Sequence, residues 1–235
     1  MPPVATAIVS GGARGIGRCI TRRFLELNYH VFILDIKHLS SAVCDLTSAQ
    51  SIQDSISAAV SFFPTSRIDV LVNNGGIAHP IWKDGADMSD PSTLEQWNQS
   101  AEDSSHKDNS NAGPCIIHIG SFRAHQSDPN QEGYASSKAG QLGLMHSMAI
   151  SLGKYGIRVN LVAPGRIRVA HECKEGDEKG TAWEDLNLDQ DVEHHATNRA
   201  GRPKDIADAV EYLVKAGFVT GQDLTVDGGA LRKKK

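Results

Sequence analysis

What most constrains this chain is the recurrence of short apolar runs with helical stretches between them. The runs fall at Ala5 to Val9, His30 to Leu34, Ala42 to Cys44, Ile68 to Val72, Cys115 to Ile119, Ile157 to Val162 and Asp223 to Val226. Most are continuous rather than alternating, as strands buried on both faces of a parallel sheet must be. Between the first two lies Arg18 to Leu27, whose apolar residues Ile20, Phe24 and Leu27 recur at helical spacing. Strand and helix in alternation build right-handed βαβ units, so the pattern predicts an α/β fold with a doubly wound sheet. A chain of 235 residues suffices for one such domain, 1–235, with helices on both faces.

Composition excludes little beyond the exotic classes. The hydrophobic fraction of 40% and charged fraction of 22% are those of an ordinary water-soluble domain. A net charge of −4 gives no reason to expect nucleic acid as a partner. The basic run Arg232 to Lys235 reads as a solvated end rather than a membrane or nucleic-acid contact. Cys19, Cys44, Cys115 and Cys173 lie far apart and form no C-x-x-C, which fits a reducing compartment. The opening apolar stretch is too short for a signal or a membrane span, so a cytoplasmic location is expected. The ten histidines include the adjacent pair His194-His195 but no H-x-x-x-H, so surface histidines and no metal are expected.

One stretch breaks the rhythm. From Asn98 to Gly113 no apolar residue is larger than alanine. Such a segment cannot offer a helix face to a core, so a polar loop is expected at 98–113. It stands between two strands, where a crossover helix belongs.

The first apolar run leads into Ser10-Gly11-Gly12-Ala13-Arg14-Gly15-Ile16-Gly17 and then a helix. Glycines at 11, 15 and 17 allow a tight turn whose backbone N–H groups approach a pyrophosphate at the helix N-terminus. Many glycine-rich turns are only turns. Asp35, however, ends the second run 18 residues beyond Gly17, close to where an acidic residue meets the adenosine ribose. A carboxylate there accepts from the ribose hydroxyls and repels a 2′-phosphate, favouring NAD over NADP. Arg14 and Lys37 point weakly the other way, and a turn residue is the lesser alternative for Asp35.

Tyr134-Ala135-Ser136-Ser137-Lys138 opens a helical stretch in which Leu142, Met145, Met148 and Leu152 recur at three- and four-residue spacing. Tyr134 and Lys138, four apart, share one helix face. A phenol with a pKa near 10 is a poor acid–base group at neutral pH, and a neighbouring cation lowers it toward the working range. Ser121 follows the run Cys115 to Ile119, at a strand's C-terminal edge, where its hydroxyl can hold a carbonyl oxygen. A serine in such a place is also a common turn residue.

Taken together, the glycine turn, Asp35, Asp45-Leu46, Asn73-Asn74-Gly75-Gly76, Ser121, Tyr134-x-x-x-Lys138, Asn160-x-x-x-Pro164-Gly165 and the closing Gly221 to Gly229 resemble the classical short-chain dehydrogenases/reductases in order and spacing. The resemblance covers nearly the whole chain. It implies a Rossmann-type, seven-stranded parallel sheet, a nicotinamide cofactor and a Ser121, Tyr134 and Lys138 active site. Cofactor contacts then fall on Gly11, Arg14, Gly15, Ile16, Gly17, Asp35, Asp45, Leu46, Asn74, Tyr134, Lys138 and the Ile167 backbone. Hydride would pass between the nicotinamide and a small alcohol or carbonyl substrate, with Tyr134 handling the hydroxyl proton. A lid at 170–200 would cover the substrate, and the charges of Glu172, Lys174, Glu175 and Asp177 suggest a polar one. Members of this family are usually homo-oligomers.

Three positions depart from the pattern. The family's long amphipathic helix after Trp97, with its relay asparagine, is replaced by the polar run, and neither Asn109 nor Asn111 has the expected context. Gly75 stands where alanine is usual, and Val169 where threonine often helps hold the carboxamide. The polar run motivates a second reading, a cofactor-binding but catalytically impaired protein of the same fold.

Overall fold

The computed structural model describes residues 4–36, 41–75 and 112–233. Among them seven strands pair: β1 (Thr6–Ser10), β2 (His30–Asp35), β3 (Ala42–Val43), β4 (Val70–Asn73), β5 (Cys115–Ile119), β6 (Arg158–Pro164) and β7 (Asp223–Val226). They form one sheet in the order β3-β2-β1-β4-β5-β6-β7, parallel throughout. From β1 the chain winds outward to β2 and β3, then returns to β4 on the other side. The order therefore reverses between β1 and β4, the crevice where ligands of such sheets bind.

Six helices accompany the strands in the described residues: α1 (Gly15–Glu26), α2 (Ala49–Phe62), α3 (Glu132–Ser151), α4 (Lys174–Lys179), α5 (Asp189–Glu193) and α6 (Pro203–Lys215). The pleat of β1 explains why its run had to be continuous. Ala7 and Val9 face α1 and α6, meeting Ile20, Phe24, Ile206, Val210 and Leu213. Ile8 faces the opposite layer, with Ala59 of α2, Phe63, and Met145 and Ala149 of α3. Each side chain of this size that is fully buried contributes roughly 1.5–3 kcal/mol, so both faces of the sheet are stabilised by covering layers.

Local signals set the helix ends. Ile16, Ile20 and Phe24 form the inward stripe of α1, and Asn28 then turns left-handed at φ 62°. The Tyr29 amide reaches back to the Phe24 carbonyl at 2.9 Å, closing the helix with a Schellman turn. Pro203 opens α6, and the Asp205 carboxylate accepts the Arg202 N–H at 2.8 Å. At its far end α6 meets the buried guanidinium of Arg158. That group donates to the carbonyls of Leu213 (2.7 Å), Val214 (2.8 Å), Ala216 (3.0 Å) and Val219 (3.3 Å), and to Ala112 (2.6 Å). A cation at a helix C-terminus complements the dipole and answers carbonyls that no helical N–H can reach.

Boundaries differ from the apolar pattern at the ends. Helix α1 starts at Gly15, three residues before Arg18, because Gly15 to Gly17 wind into its first turn. Strand β6 runs on to Pro164, since Ala163 and Pro164 still pair with Thr225 and Val226. The polar loop expected at 98–113 lies outside the described residues but for Ala112 and Gly113, and so do Trp97, Asn109, Asn111, Lys37 and Gly76.

Candidate active site

The glycine turn leaves β1 at Ser10 and is left-handed at Gly11 (φ 62°) and Gly15 (φ 55°). A Cβ on Gly17 would lie 2.2 Å from the Gly11 carbonyl oxygen and 2.4 Å from Asn74 Nδ2, so nothing larger than glycine fits. Asn74 clasps this turn from the end of β4, its amide donating to the carbonyls of Ser10 and Gly11, each at 3.1 Å. Ser10 Oγ accepts in return from the backbone N–H of Asn74 (3.1 Å) and Gly75 (3.0 Å) and donates to the Val72 carbonyl (3.3 Å). Sequence reasoning missed Ser10, whose only signal was a small hydroxyl at a strand end before glycine. Helix α1 then begins with no side-chain cap and no acid in its first turn. Such an N-terminus presents N–H groups and a positive dipole end to an anion.

Asp35 ends β2 half-buried, and its Oδ2 accepts the Ala13 N–H at 3.1 Å, which places the carboxylate against the turn. Asp45 is exposed. Its Oδ1 accepts from Thr47 N (2.9 Å) and Oγ1 (2.7 Å), and these bonds hold the carboxyl below its usual range. Leu46 packs on Gly75, where a Cβ would meet its Cδ1 at 2.5 Å. The turn, Asp35, Leu46 and Asn74 thus stand together at the β1/β4 crevice.

Two strands away, β5 delivers Ser121. The buried hydroxyl of Ser121 accepts the Arg123 N–H at 3.2 Å and opens the one-turn 3₁₀ helix Phe122–Ala124, against which α3 packs. Tyr134 and Lys138 lie in the first two turns of α3, half-buried. The Lys138 ammonium is 5.8 Å from the Tyr134 ring centroid and donates to the Ile119 carbonyl and to Gln141 Oε1, each at 3.3 Å. Helix and strand end are thereby joined two residues before Ser121. Burial pushes the Lys138 pKa below the ordinary lysine value. Beneath it His118 is buried in β5, and among the described residues its Nε2 has no hydrogen-bond partner. Burial first, and the charge of Lys138 second, push its pKa down to about 4.

After β6, Ile167 bridges in parallel to Gly201, and Val169 packs on the glycine turn, its Cβ 3.5 Å from where a Cβ of Gly15 would stand. The backbone carbonyl of Glu172 accepts the Gly15 N–H at 2.8 Å. Glu172, Glu175 and Asp177 all pair with arginines in or just before helix α1. Arg14 pairs with Glu175 at 3.3 Å, Arg22 with Glu172 at 3.0 Å, and Arg18 with Asp177 and, at 3.8 Å, Glu172. Arg14, a candidate for a 2′-phosphate, has an acid partner in this arrangement. Farther along, His195 is buried with Nδ1 on the Asp191 carbonyl, correcting the expectation of a surface residue. Among the described residues no helix is long and apolar enough to cross a membrane.

Comparison with known proteins places this geometry in context. A family model described as enoyl-(acyl carrier protein) reductase matches residues 11–230. An uncharacterized oxidoreductase of Thermotoga maritima is 31% identical over 261 aligned positions, covering 95% of this chain and 94% of the relative. The ligand-free aldohexose dehydrogenase of Thermoplasma acidophilum superposes with a TM-score of 0.73 at 26% identity, covering 99% of this chain and 96% of that one. A 7α-hydroxysteroid dehydrogenase solved with NADH and 7-oxo glycochenodeoxycholic acid gives 0.72 at 29% identity, covering 98% and 96%.

Proposed function

The chain belongs to the short-chain dehydrogenase/reductase family of oxidoreductases, and from that premise we propose that it interconverts a small alcohol and its carbonyl with NAD as hydride acceptor or donor. The observation that carries this reading is the desolvated Lys138 ammonium, set beside the Tyr134 ring and hydrogen-bonded to the strand end that leads to Ser121.

The residues present fit a dinucleotide. The turn narrows at Gly17 to a space that a Cβ would fill, and although Gly15 gives its N–H to the Glu172 carbonyl, the uncapped start of α1 still turns the Ile16 and Gly17 N–H groups toward a pyrophosphate. Gly11, Arg14, Gly15, Ile16 and Gly17 would hold the phosphates, and Asn74 keeps the turn in shape. Asp35 would accept the adenosine ribose hydroxyls, and its charge disfavours a 2′-phosphate, which is the ground for choosing NAD. Asp45 and Leu46 would border the adenine, and the Ile167 backbone the carboxamide. When bound, the nicotinamide supplies or accepts the hydride at the substrate carbon. Tyr134 gives a proton to the carbonyl oxygen in reduction and removes it from the hydroxyl in oxidation. Lys138 stabilises the phenolate that remains and would reach a ribose hydroxyl, while Ser121 holds the substrate oxygen. The free cysteines suit the cytoplasm, where we place this activity, and residues 170–200 act as the substrate lid of a single domain.

The test is a titration of the purified chain with NADH, followed by turnover on a panel of aldehydes and ketones. Saturable binding with turnover is expected, and Tyr134→Phe should lower kcat by about a hundredfold or more while leaving NADH affinity within about threefold. Binding without turnover on any carbonyl would favour the impaired reading instead.

A further inference from the structure

Arg166 and Arg168 leave the C-terminal end of β6 directly after Pro164 and Gly165. Ile119 of β5 lies level with Val162 of β6, so Ser121 lies level with Pro164, and Arg166 is two residues beyond it at the same sheet edge. Both guanidinium groups turn to one carboxylate, that of Asp191 in α5. Arg166 Nε lies 3.0 Å from its Oδ1, and Arg168 Nε lies 3.1 Å from its Oδ2. The Leu188 N–H also donates to Oδ2, at 3.0 Å.

The two cations differ in how fully they are used. Arg168 donates twice to Asp191, through Nε and, at 3.5 Å, Nη2. Arg166 meets it as an ion pair, Nε 3.0 Å from Oδ1, and among the described residues its guanidinium shows no hydrogen bond. Its side chain is 47% exposed against 2% for Asp191. One buried carboxylate between two guanidinium ions leaves a net positive charge, and the outer N–H fork of Arg166 is the part free to act. A planar fork of this kind, fixed at one end, suits bidentate recognition of an oxyanion.

We propose that Arg166 determines substrate specificity by receiving an oxyanion, carboxylate or phosphate, carried on the substrate beside its reacting carbonyl. The inference rests on the oxidoreductase reading above and names the substrate class of that same site. Asp191 holds the stem of Arg166 in place, so the lid helix that supplies this acid also aims the fork. The anion completes a charge balance that Asp191 leaves unfinished.

The test uses the protein with NADH and two matched pairs of ketones. Acetoacetate against methyl acetoacetate reads a carboxylate, and dihydroxyacetone phosphate against dihydroxyacetone reads a phosphate. In at least one pair the anionic member should be preferred by about tenfold or more in kcat/KM, as a charge-assisted bidentate contact provides. Arg166→Gln should cut that preference to within about threefold, chiefly through KM, and Arg166→Lys should restore part of it. Turnover that favours the neutral member of both pairs overturns the proposal. So does a preference that survives unchanged in Arg166→Gln. A chain that binds NADH but turns over no carbonyl in either the pairs or the wider panel overturns the functional reading itself.

Discussion

At the residue scale, His118 couples the candidate site to the stability of the sheet. Its ring is buried, its Nε2 has no partner among the described residues, and its pKa is held down to about 4 by burial and by Lys138. An unfolded histidine titrates near pH 6.5. Between those two values the unfolded chain takes up a proton that the folded one refuses, so stability falls as the pH drops from about 6.5 to about 4 and levels off below. The full loss from this group is about 3 kcal/mol. Urea unfolding at pH 7 and at pH 4 should show His118→Gln losing about 2–3 kcal/mol less than the parent chain. Equal losses in the two proteins would remove His118 as the cause. Its place inside an apolar run marks this histidine as packed, but the lowered pKa is not legible there, because depth and the nearby ammonium are properties of the packed sheet.

The element scale is where sequence and structure agree most closely, and where one disagreement teaches most. Buried strands such as β1 and β5 announce themselves as unbroken apolar runs, and the spacing of Leu142, Met145 and Met148 marks α3. Arg158 is less transparent: it lies inside the run Ile157 to Val162, and nothing in that run says that its charge is 6% exposed and saturated with carbonyl acceptors at the end of α6. Its partners lie 46 to 61 positions away in the chain, beyond the reach of any periodicity. Replacing it by Met leaves those carbonyls buried without donors. Arg158→Met should therefore cost about 3 kcal/mol or more, read as a lowered urea midpoint at constant slope. The triad Arg166, Arg168 and Asp191 escaped notice for the same reason, since Arg168 and its acid stand 23 positions apart. That Tyr134 and Lys138 lie side by side was legible because they stand four apart on one helix, and Ser121 at a strand end because an apolar run precedes it.

For the whole molecule, the notable feature is how the segment after β6 is fastened to helix α1. Arg18 and Arg22 of α1 grip Glu172 and Asp177, and Gly15 donates its backbone N–H to the Glu172 carbonyl. The first helix and the segment after β6 are thus held together beside the glycine turn. Glu172 is 8% exposed, which shelters it from salt better than the exposed pairs around it. Changing both Arg18 and Arg22 to Gln should loosen 170–181, seen as about tenfold faster amide hydrogen exchange there with little change in α2 or β1. Unaltered exchange would show that packing by Val169, rather than charge, fastens the segment.

The clasp between Ser10 and Asn74 has a consequence in time. Its two ends are 64 positions apart, and β4 must pair beside β1 before the Asn74 amide can reach the glycine turn. Contacts of such separation form late, because a long loop must close before they return anything. During refolding the β1–α1–β2 unit can condense early from near neighbours while its glycine turn is still unshaped. Recovery of nucleotide affinity should therefore lag behind recovery of helical signal, and binding becomes a clock for the moment the two halves of the sheet join.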